Sequence, residues 1–103
     1  MLCLLTARHL KPGAHEAFRD SWKPEKWHGR LVRAYHVRNQ DDPHEVITVA
    51  FFDGTAEDID AMRDDPEWMA GEERRLRRIA PLEDAVRMSG VYEVVDEIVA
   101  EDR

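Results

Sequence analysis

The most restrictive feature of this sequence is a pair of apolar segments, RLVRAYHVR and EVITVAFFD, which run from Arg30 to Asp53. Both segments are rich in β-branched and aromatic residues, and the link between them, Asn39 to His44, contains Asn, Asp and Pro. This pattern predicts an antiparallel β-hairpin with a fairly long loop.

Side chains alternate across a strand, so each segment divides into two faces. The first segment has Leu31, Arg33, Tyr35 and Val37 on one face and Val32, Ala34, His36 and Arg38 on the other. The second has Val46, Thr48, Ala50 and Phe52 opposite Ile47, Val49, Phe51 and Asp53. Neither face of the second segment is polar, and a chain this short has helix enough to cover only one face. We therefore expect a second copy of the protein to cover the other face.

The length and net charge of the chain limit the classes of function that it can have. A chain of 103 residues is expected to form one domain, residues 1–103. The net charge of -7, from 15 Lys and Arg against 22 Asp and Glu, argues against nucleic acid and anionic membranes as partners, because both attract concentrated positive charge. The apolar start, Met1 to Leu5, is too short for a signal peptide or a membrane span, and the single Cys3 cannot form an internal disulfide. We expect a cytoplasmic protein.

The segments around the hairpin predict a strand and three helical regions. Leu2 to Leu10 alternates like a strand and ends at a Lys-Pro-Gly turn. The helix that follows stops at Pro24, a short helix begins near Thr55, and Pro66 opens a longer one. Their predicted apolar stripes are Ala14, Ala17, Phe18 and Trp22, then Ile59 and Met62, then Trp68 or Met69 with Leu76 and Ile79. The arginines near the end of the longest helix, Arg74 to Arg78, are interpreted as a solvated helix end rather than an anion site.

The final segment, Asp84 to Ile98, predicts a strand longer than any partner within one subunit. Alternation puts Val86, Met88, Gly90, Tyr92 and Val94 on one face. We expect this strand to continue past the sheet edge and to pair with a second copy, since an exposed edge invites pairing.

The layout of strand, helix, two strands, a helix pair and a long strand resembles the dimeric α+β barrel superfamily, and within it the antibiotic biosynthesis monooxygenase-like group. The residues that carry the resemblance are Pro12-Gly13 before the Phe18 helix, Gly29-Arg30, Asp41-Asp42-Pro43 leading to Val49-Ala50-Phe51-Phe52, and Pro66 with Trp68. The resemblance implies an α+β, ferredoxin-like subunit with a four-stranded antiparallel sheet and helices on one face. Two subunits would form a homodimer through their sheet faces and the long C-terminal strand.

The same resemblance implies a cofactor-independent monooxygenase, without metal or flavin, that acts on a small aromatic or quinol-like metabolite. In such enzymes the substrate loses a proton and itself reduces oxygen. The protein supplies an apolar cavity between sheet and helices, donors for the developing oxyanion, and a base.

Seven residues are candidates for these roles. His36 or His9 could act as the base, with Tyr35 and Arg33 as oxyanion partners, and Trp68, Trp22 and Phe51 could contact the substrate. Tyr35 and His36 are neighbours on one strand, so at most one of them can line a given cavity. Each candidate also has a structural interpretation, as a core aromatic or as a polar contact at a subunit interface.

Two departures from the family keep other functions open. Characterised oxygenases of this group tend to have an asparagine in the pocket, whereas the only one here, Asn39, falls in the hairpin loop. Haem-degrading relatives use a histidine on the last helix, and the segment WMAGEERRLRRI contains none. The alternatives are a non-catalytic homodimer that binds a hydrophobic ligand, and a cyclase or isomerase that uses His36 or His9 with Tyr35.

Overall fold

The computed structural model describes residues 1–101, so the last two residues of the expected domain lie outside it. Its strands are β1 (Leu2–Leu10), β2 (Leu31–Arg38), β3 (Glu45–Phe52) and β4 (Glu83–Glu93). Its helices are α1 (His15–Trp22), α2 (Ala56–Arg63) and α3 (Pro66–Ile79), and a 3-10 turn, Ala80–Leu82, follows α3. All strand pairs are antiparallel, in the order β2-β3-β1-β4. The predicted α+β, ferredoxin-like subunit is confirmed.

The hairpin of β2 and β3 forms as predicted, with Tyr35 opposite Val49 and His36 opposite Thr48. Its loop is closed by two short side chains: Asn39 accepts a hydrogen bond from the Asp41 N–H at 2.8 Å, and Asp42 accepts from the His44 N–H at 3.0 Å. Such Asx turns are the reason that Asn and Asp mark this link.

A bulge at the start of β2 changes one predicted face. Leu31 lies opposite Phe52 while Arg33 lies opposite Phe51, so Val32 is the extra residue. Strict alternation had grouped Leu31 with Arg33, and this was wrong because a bulge moves the side chains before it to the other face. Leu31 therefore lies on the helix side of the sheet.

Local chemistry sets the helix limits. The Thr55 hydroxyl accepts from the Asp58 N–H, and the Asp58 carboxylate accepts from the Thr55 N–H at 2.8 Å, so α2 begins with a capping box. The Asp65 carboxylate caps α3 by accepting from the Glu67 N–H at 3.0 Å, and Pro66 occupies the first helical position. Within residues 1–101, no helix combines the length and apolarity that crossing a membrane would require.

Two separate groups of buried residues hold the helices on the sheet. At one end Leu10 and Val46 pack with Ala14, Phe18 and Ile79. At the other end Leu2, Phe52 and Ile59 pack together. In the middle of β1 and β3, Leu4 packs against the second group, whereas its partner Ala50 and the pair Thr6 with Thr48 belong to neither group. The core therefore fills the two ends of the sheet and leaves its centre to smaller or polar side chains.

Within residues 1–101, the opposite face of the sheet carries no helix. Its residues are largely apolar, and the register aligns Tyr35 with Val49, Leu5 and Gly90 across the four strands. Tyr35 is 49% exposed and Met88 and Tyr92 are each 45% exposed. This is the face that the sequence assigns to a second copy, and that assignment stays a prediction.

The predicted last strand was too long. It spans Glu83–Glu93 rather than Asp84 to Ile98, and it pairs with β1 along its length. Residues 94–101 have no regular secondary structure, although the Val94 N–H donates to the Met1 carbonyl at 3.1 Å. Residues 94–99 include four Val and Ile residues, but Glu93 already pairs with Leu2, the first residue of β1, so the ladder stops there.

A second bulge, at Arg87, divides the predicted apolar face of β4. Val86 pairs with Arg8 while Met88 pairs with Ala7, so the two side chains lie on different faces. The predicted helix stripes also need correction, because Ala17 is exposed, Met69 is 42% exposed and Leu76 is 48% exposed. Met69 and Leu76 border a cavity rather than the core.

We expect Phe18→Ala to lower the free energy of unfolding by about 3–5 kcal/mol, because Phe18 is fully buried and its removal leaves a cavity that the sheet cannot fill. Urea denaturation followed by circular dichroism would measure the change. Arg19→Ala is the matched control, since its side chain is 55% exposed, and we expect it to change stability by less than about 0.5 kcal/mol. Equal effects of the two variants would contradict this account of the core.

Candidate active site

A cavity of about 490 Å³ occupies the space between the centre of the sheet and the helices. Its floor includes Leu4, Thr6, Arg8, Thr48 and Ala50, from β1 and β3. All three tryptophans of the chain line it: Trp22 at the end of α1, Trp27 in the α1–β2 connection, and Trp68 in the first turn of α3. The cavity is therefore largely aromatic around its walls and partly polar at its floor.

A row of polar residues crosses the sheet beneath this cavity. The register aligns His36, Thr48, Thr6 and Ser89, one from each strand. The Thr6 and Ser89 hydroxyls are 3.2 Å apart, within hydrogen-bond distance. The Thr48 hydroxyl is buried and has no hydrogen-bond partner among residues 1–101. A buried polar group without a partner costs about 1–3 kcal/mol, so the row is suited to a bound molecule with polar atoms.

Arg8, Arg63 and Arg75 line the cavity, and two of them, Arg8 and Arg75, pair with a carboxylate. Arg8 Nε donates to Glu83 at 3.0 Å, and its guanidinium lies 5.3 Å from the centre of the Phe18 ring. Burial lowers the pKa of Arg8, and Glu83 opposes that shift. Arg75 pairs with Glu72 and lies over the Trp22 ring at 5.4 Å.

The arginines of α3 also hold the connection that forms the rim. Arg74 donates to both carboxylate oxygens of Glu25, at 2.7 and 2.8 Å. Arg75 donates to the Trp22 carbonyl at 3.1 Å, and Arg78 to the Lys23 carbonyl at 3.4 Å. The prediction of a solvated helix end agrees with the exposure of Arg74 and Arg78 but not with Arg75, which is partly buried because the connection after α1 folds back over α3.

His28 also lines the cavity and was missed by the sequence analysis. Its Nδ1 accepts a hydrogen bond from the Arg30 N–H at 3.1 Å, so in the neutral ring the proton lies on Nε2 and can be donated. The ring meets Trp68 edge-on at 5.4 Å and Phe52 at 5.0 Å. The one available signal was its place beside Trp27 in an irregular connection, which the pattern of apolar residues does not explain.

His36 lies behind the cavity wall. Its ring is 5.0 Å from Phe18 and meets Trp22 edge-on at 4.8 Å. Within the described residues, its buried Nε2 has no hydrogen-bond partner. Burial lowers the pKa of His36 from its ordinary value of 6.5, and the nearby His15, Arg8 and Arg75 lower it further. The neutral ring is therefore favoured near pH 7 and can accept a proton.

The seven candidate residues do not form one site. Trp22 and Trp68 line the cavity, and His36 lies next to it. The other four lie on the opposite face of the sheet, by register or contact: Arg33, Tyr35, Phe51 and His9. His9 lies 3.4 Å from Asp84 and 3.6 Å from Asp42, near the hairpin loop. The sequence could not decide which face the helices cover, and that choice separates the two groups.

Among residues 1–101, no three His, Cys, Asp or Glu side chains are arranged to hold a metal ion. Cys3 is a free, partly buried thiol.

Solved structures with the same architecture cover nearly the whole chain. A candidate antibiotic biosynthesis monooxygenase from Chloroflexus aurantiacus superimposes with a TM-score of 0.67 at 14% identity, over 96% of this chain and 98% of that one. A similarly named protein from Nitrosomonas europaea gives 0.66 at 16% identity, over 93% and 100%. This chain has the fold of the antibiotic biosynthesis monooxygenase-like proteins.

That fold is shared more widely. A NIPSNAP domain protein from Burkholderia xenovorans superimposes with a TM-score of 0.59 at 18% identity, over 99% of this chain and 100% of that one. No family model and no curated protein matches the sequence. The comparisons confirm the predicted fold, and at these identities they establish the fold alone.

We expect His36 to make stability depend on pH. Its pKa is lower in the folded protein than in the unfolded chain, where it titrates near 6.5. Between these two values the unfolded state binds more protons than the folded state. The free energy of unfolding therefore falls as the pH drops below about 6.5, and above that pH the stabilising contribution of the neutral His36 is complete. Urea titrations between pH 5 and 8 should show a weaker pH dependence for His36→Gln than for the wild type. An identical dependence in both would contradict the lowered pKa.

Proposed function

We propose that this protein is a cofactor-independent monooxygenase that converts a small aromatic or quinol-like metabolite in the cavity between sheet and helices. The observation that carries the proposal is the cavity itself, with three tryptophans around a partly polar floor. Its volume of about 490 Å³ falls within the range of about 300–1,000 Å³ that is typical of small-molecule sites. The names of the structural neighbours from Chloroflexus aurantiacus and Nitrosomonas europaea support the same reaction class.

In the proposed reaction Trp22 and Trp68 stack on the substrate ring. An acidic hydrogen leaves the substrate, and His36, which lies behind Trp22 and outside the cavity lining, accepts it through a bridging water. The resulting anion is stabilised by hydrogen-bond donors at the cavity, among them His28 and Thr48. The anion then reduces oxygen: a ring methylene and O₂ become a ring carbonyl and water, with all electrons supplied by the substrate.

We further propose that two subunits pack their helix-free sheet faces together in the cytoplasm. Tyr35, Phe51, Arg33 and His9 then belong to or border the subunit interface rather than the cavity. Residues 94–101 would extend along the partner, because Val95, Ile98 and Val99 are all at least 75% exposed in one subunit. The support is physical: burying an apolar sheet face contributes about 25 cal/mol per Å² removed from water.

A second candidate is a dimer that binds an aromatic ligand without turnover. It is favoured by the position of His36 behind Trp22 and by the cavity lining, which contains no asparagine in the part of the chain that the structure describes. A ligand that raises the melting temperature but yields no product by mass spectrometry would select it. Product formation without oxygen would instead select the cyclase or isomerase.

We expect oxygen uptake with a panel of anthrones and hydroquinones in metal-free buffer. Trp68→Ala should lower kcat/KM about tenfold, because it removes an aromatic wall, while Trp68→Phe should retain most activity. Tyr35 lies on the face of the sheet opposite the cavity. We therefore expect the activity of Tyr35→Phe to match that of the wild type. An equal loss in Tyr35→Phe would move the site to the opposite face, and no turnover above the Trp68→Ala background would reject the monooxygenase.

We expect the protein to sediment at micromolar concentration with twice the 12.0 kDa mass of one chain. Val49→Glu should shift it to a single subunit, because a carboxylate buried in an apolar interface has no partner. Ala70→Glu is the matched control, since it adds the same charge on the exposed side of α3, and it should leave the dimer intact. A wild-type protein that sediments as one subunit would refute the interface.

A further inference from the structure

We propose that the cavity recognises an aromatic ligand through an anionic oxygen, a carboxylate or an ionised phenol, which Arg8 and Thr48 bind at the floor. This inference rests on the proposed function and names the class of molecule that the cavity takes. The candidate residues chosen from the sequence did not include Arg8 or Thr48.

Arg8 is an unusual residue for its position. It lies on the helix side of β1, where Leu2 and Leu10 belong to the core, and only 5% of its surface is exposed. A buried cation is costly unless its donors are paired. Glu83 accepts one bond, from Nε, but Nη1 is buried and has no hydrogen-bond partner within residues 1–101. The guanidinium therefore keeps a donor that no group in the described part of the chain accepts.

Thr48 provides a second unused group close by. The register aligns Arg8 with Val46 and Thr6 with Thr48, so Thr48 is diagonal to Arg8 on the neighbouring strand. Diagonal neighbours on one face lie within reach of a long side chain and of a common ligand. Thr48 is 4% exposed, its hydroxyl has no partner in the described part of the chain, and both residues line the cavity.

Electrostatics favours an anion over a neutral oxygen at this point. Arg8 and Arg75 both line the cavity, and Arg75 lowers the pKa of Arg8 while Glu72 raises it. Glu72 and Glu83 each accept from their own arginine, and neither bonds Arg8 Nη1. An anionic oxygen at Nη1 would form a charge-assisted hydrogen bond, which is about twice as strong as a neutral one.

The aromatic walls of the cavity determine which kind of molecule can carry the anionic oxygen. Trp22, Trp27 and Trp68 surround the same space, and flat rings stack favourably on indole. The ligand is therefore a planar aromatic molecule with its charged oxygen directed to the sheet and its ring between the tryptophans.

Calorimetric binding of 2-naphthoate, methyl 2-naphthoate and 2-naphthol to the full-length protein tests the inference. We expect the wild type to bind naphthoate about 10–100-fold more tightly than the ester, as for hydrogen bonds to charged groups. Arg8→Met should remove this preference and still bind the ester, and Thr48→Val should weaken naphthoate several-fold. Tighter binding of naphthol only above its own pKa would identify an ionised phenol as the recognised group.

The controls separate recognition from a purely structural role of Arg8. Arg77→Met removes an exposed arginine of α3 and should leave the preference unchanged. If Arg8→Met does not fold, Arg8→Lys keeps the charge beside Glu83 but lacks the planar fork, and its preference should fall clearly. Equal wild-type affinity for acid and ester, no binding of the acid, or equal weakening of both ligands by the Arg8 variant would overturn the inference.

The test of anion binding and the test of the proposed reaction can fail separately. A preference for the acid without oxygen uptake on any substrate would reject the monooxygenase and leave the anion site. Oxygen uptake on neutral quinols without a preference for the acid would leave the monooxygenase and overturn the anion site.

Discussion

Strand register is the constraint on which the rest of this structure depends. The pairing of β1 with β3 and β4, and of β3 with β2, brings His36, Thr48, Thr6 and Ser89 into one line across the sheet, although they are up to 83 residues apart in sequence. Apolar residues fill both ends of the same face, and the line of polar residues leaves the centre open. A shift of one residue would turn this line to the other face and remove the floor of the cavity.

The walls of the cavity come from local signals at the ends of the helices. Pro24 stops α1 just after Trp22, and the Asp65 cap with Pro66 sets Trp68 in the first turn of α3. The arginines of α3 then hold the connection that carries Trp27 and His28. Short-range caps therefore position aromatic groups that meet only in the folded chain, which links helix termination directly to the shape of the site.

The sequence was sufficient to predict the strands and helices, but it did not determine which side chains lie on the helix-covered face of the sheet. Alternation and caps predicted the hairpin and the helices, because these depend on neighbouring residues, and the resemblance of their order to a known family predicted the fold. Alternation alone does not say which face the helices cover, so Tyr35 and Phe51 could not be separated from His36 and Trp68. Arg8 was missed because an arginine in a strand gives no sign of the residues beside it in the sheet. The bulges at Val32 and Arg87 and the end of β4 at Glu93 depend on pairing with other strands, which no local pattern contains.

The buried polar groups are best understood as a cost to folding. An apolar residue at Thr48 or Arg8 would fill the centre of the sheet and avoid the free energy of an unpaired hydroxyl or guanidinium donor. Four such groups occur within residues 1–101: His15 lies on α1, whereas Arg8, Thr48 and His36 lie on the same face of the sheet, and Arg8 and Thr48 line one cavity. Because Arg8 and Thr48 lie beside three tryptophans in one cavity, their unpaired groups support the proposed binding site. A site that destabilises the empty protein can recover that free energy when a ligand with complementary polar atoms binds.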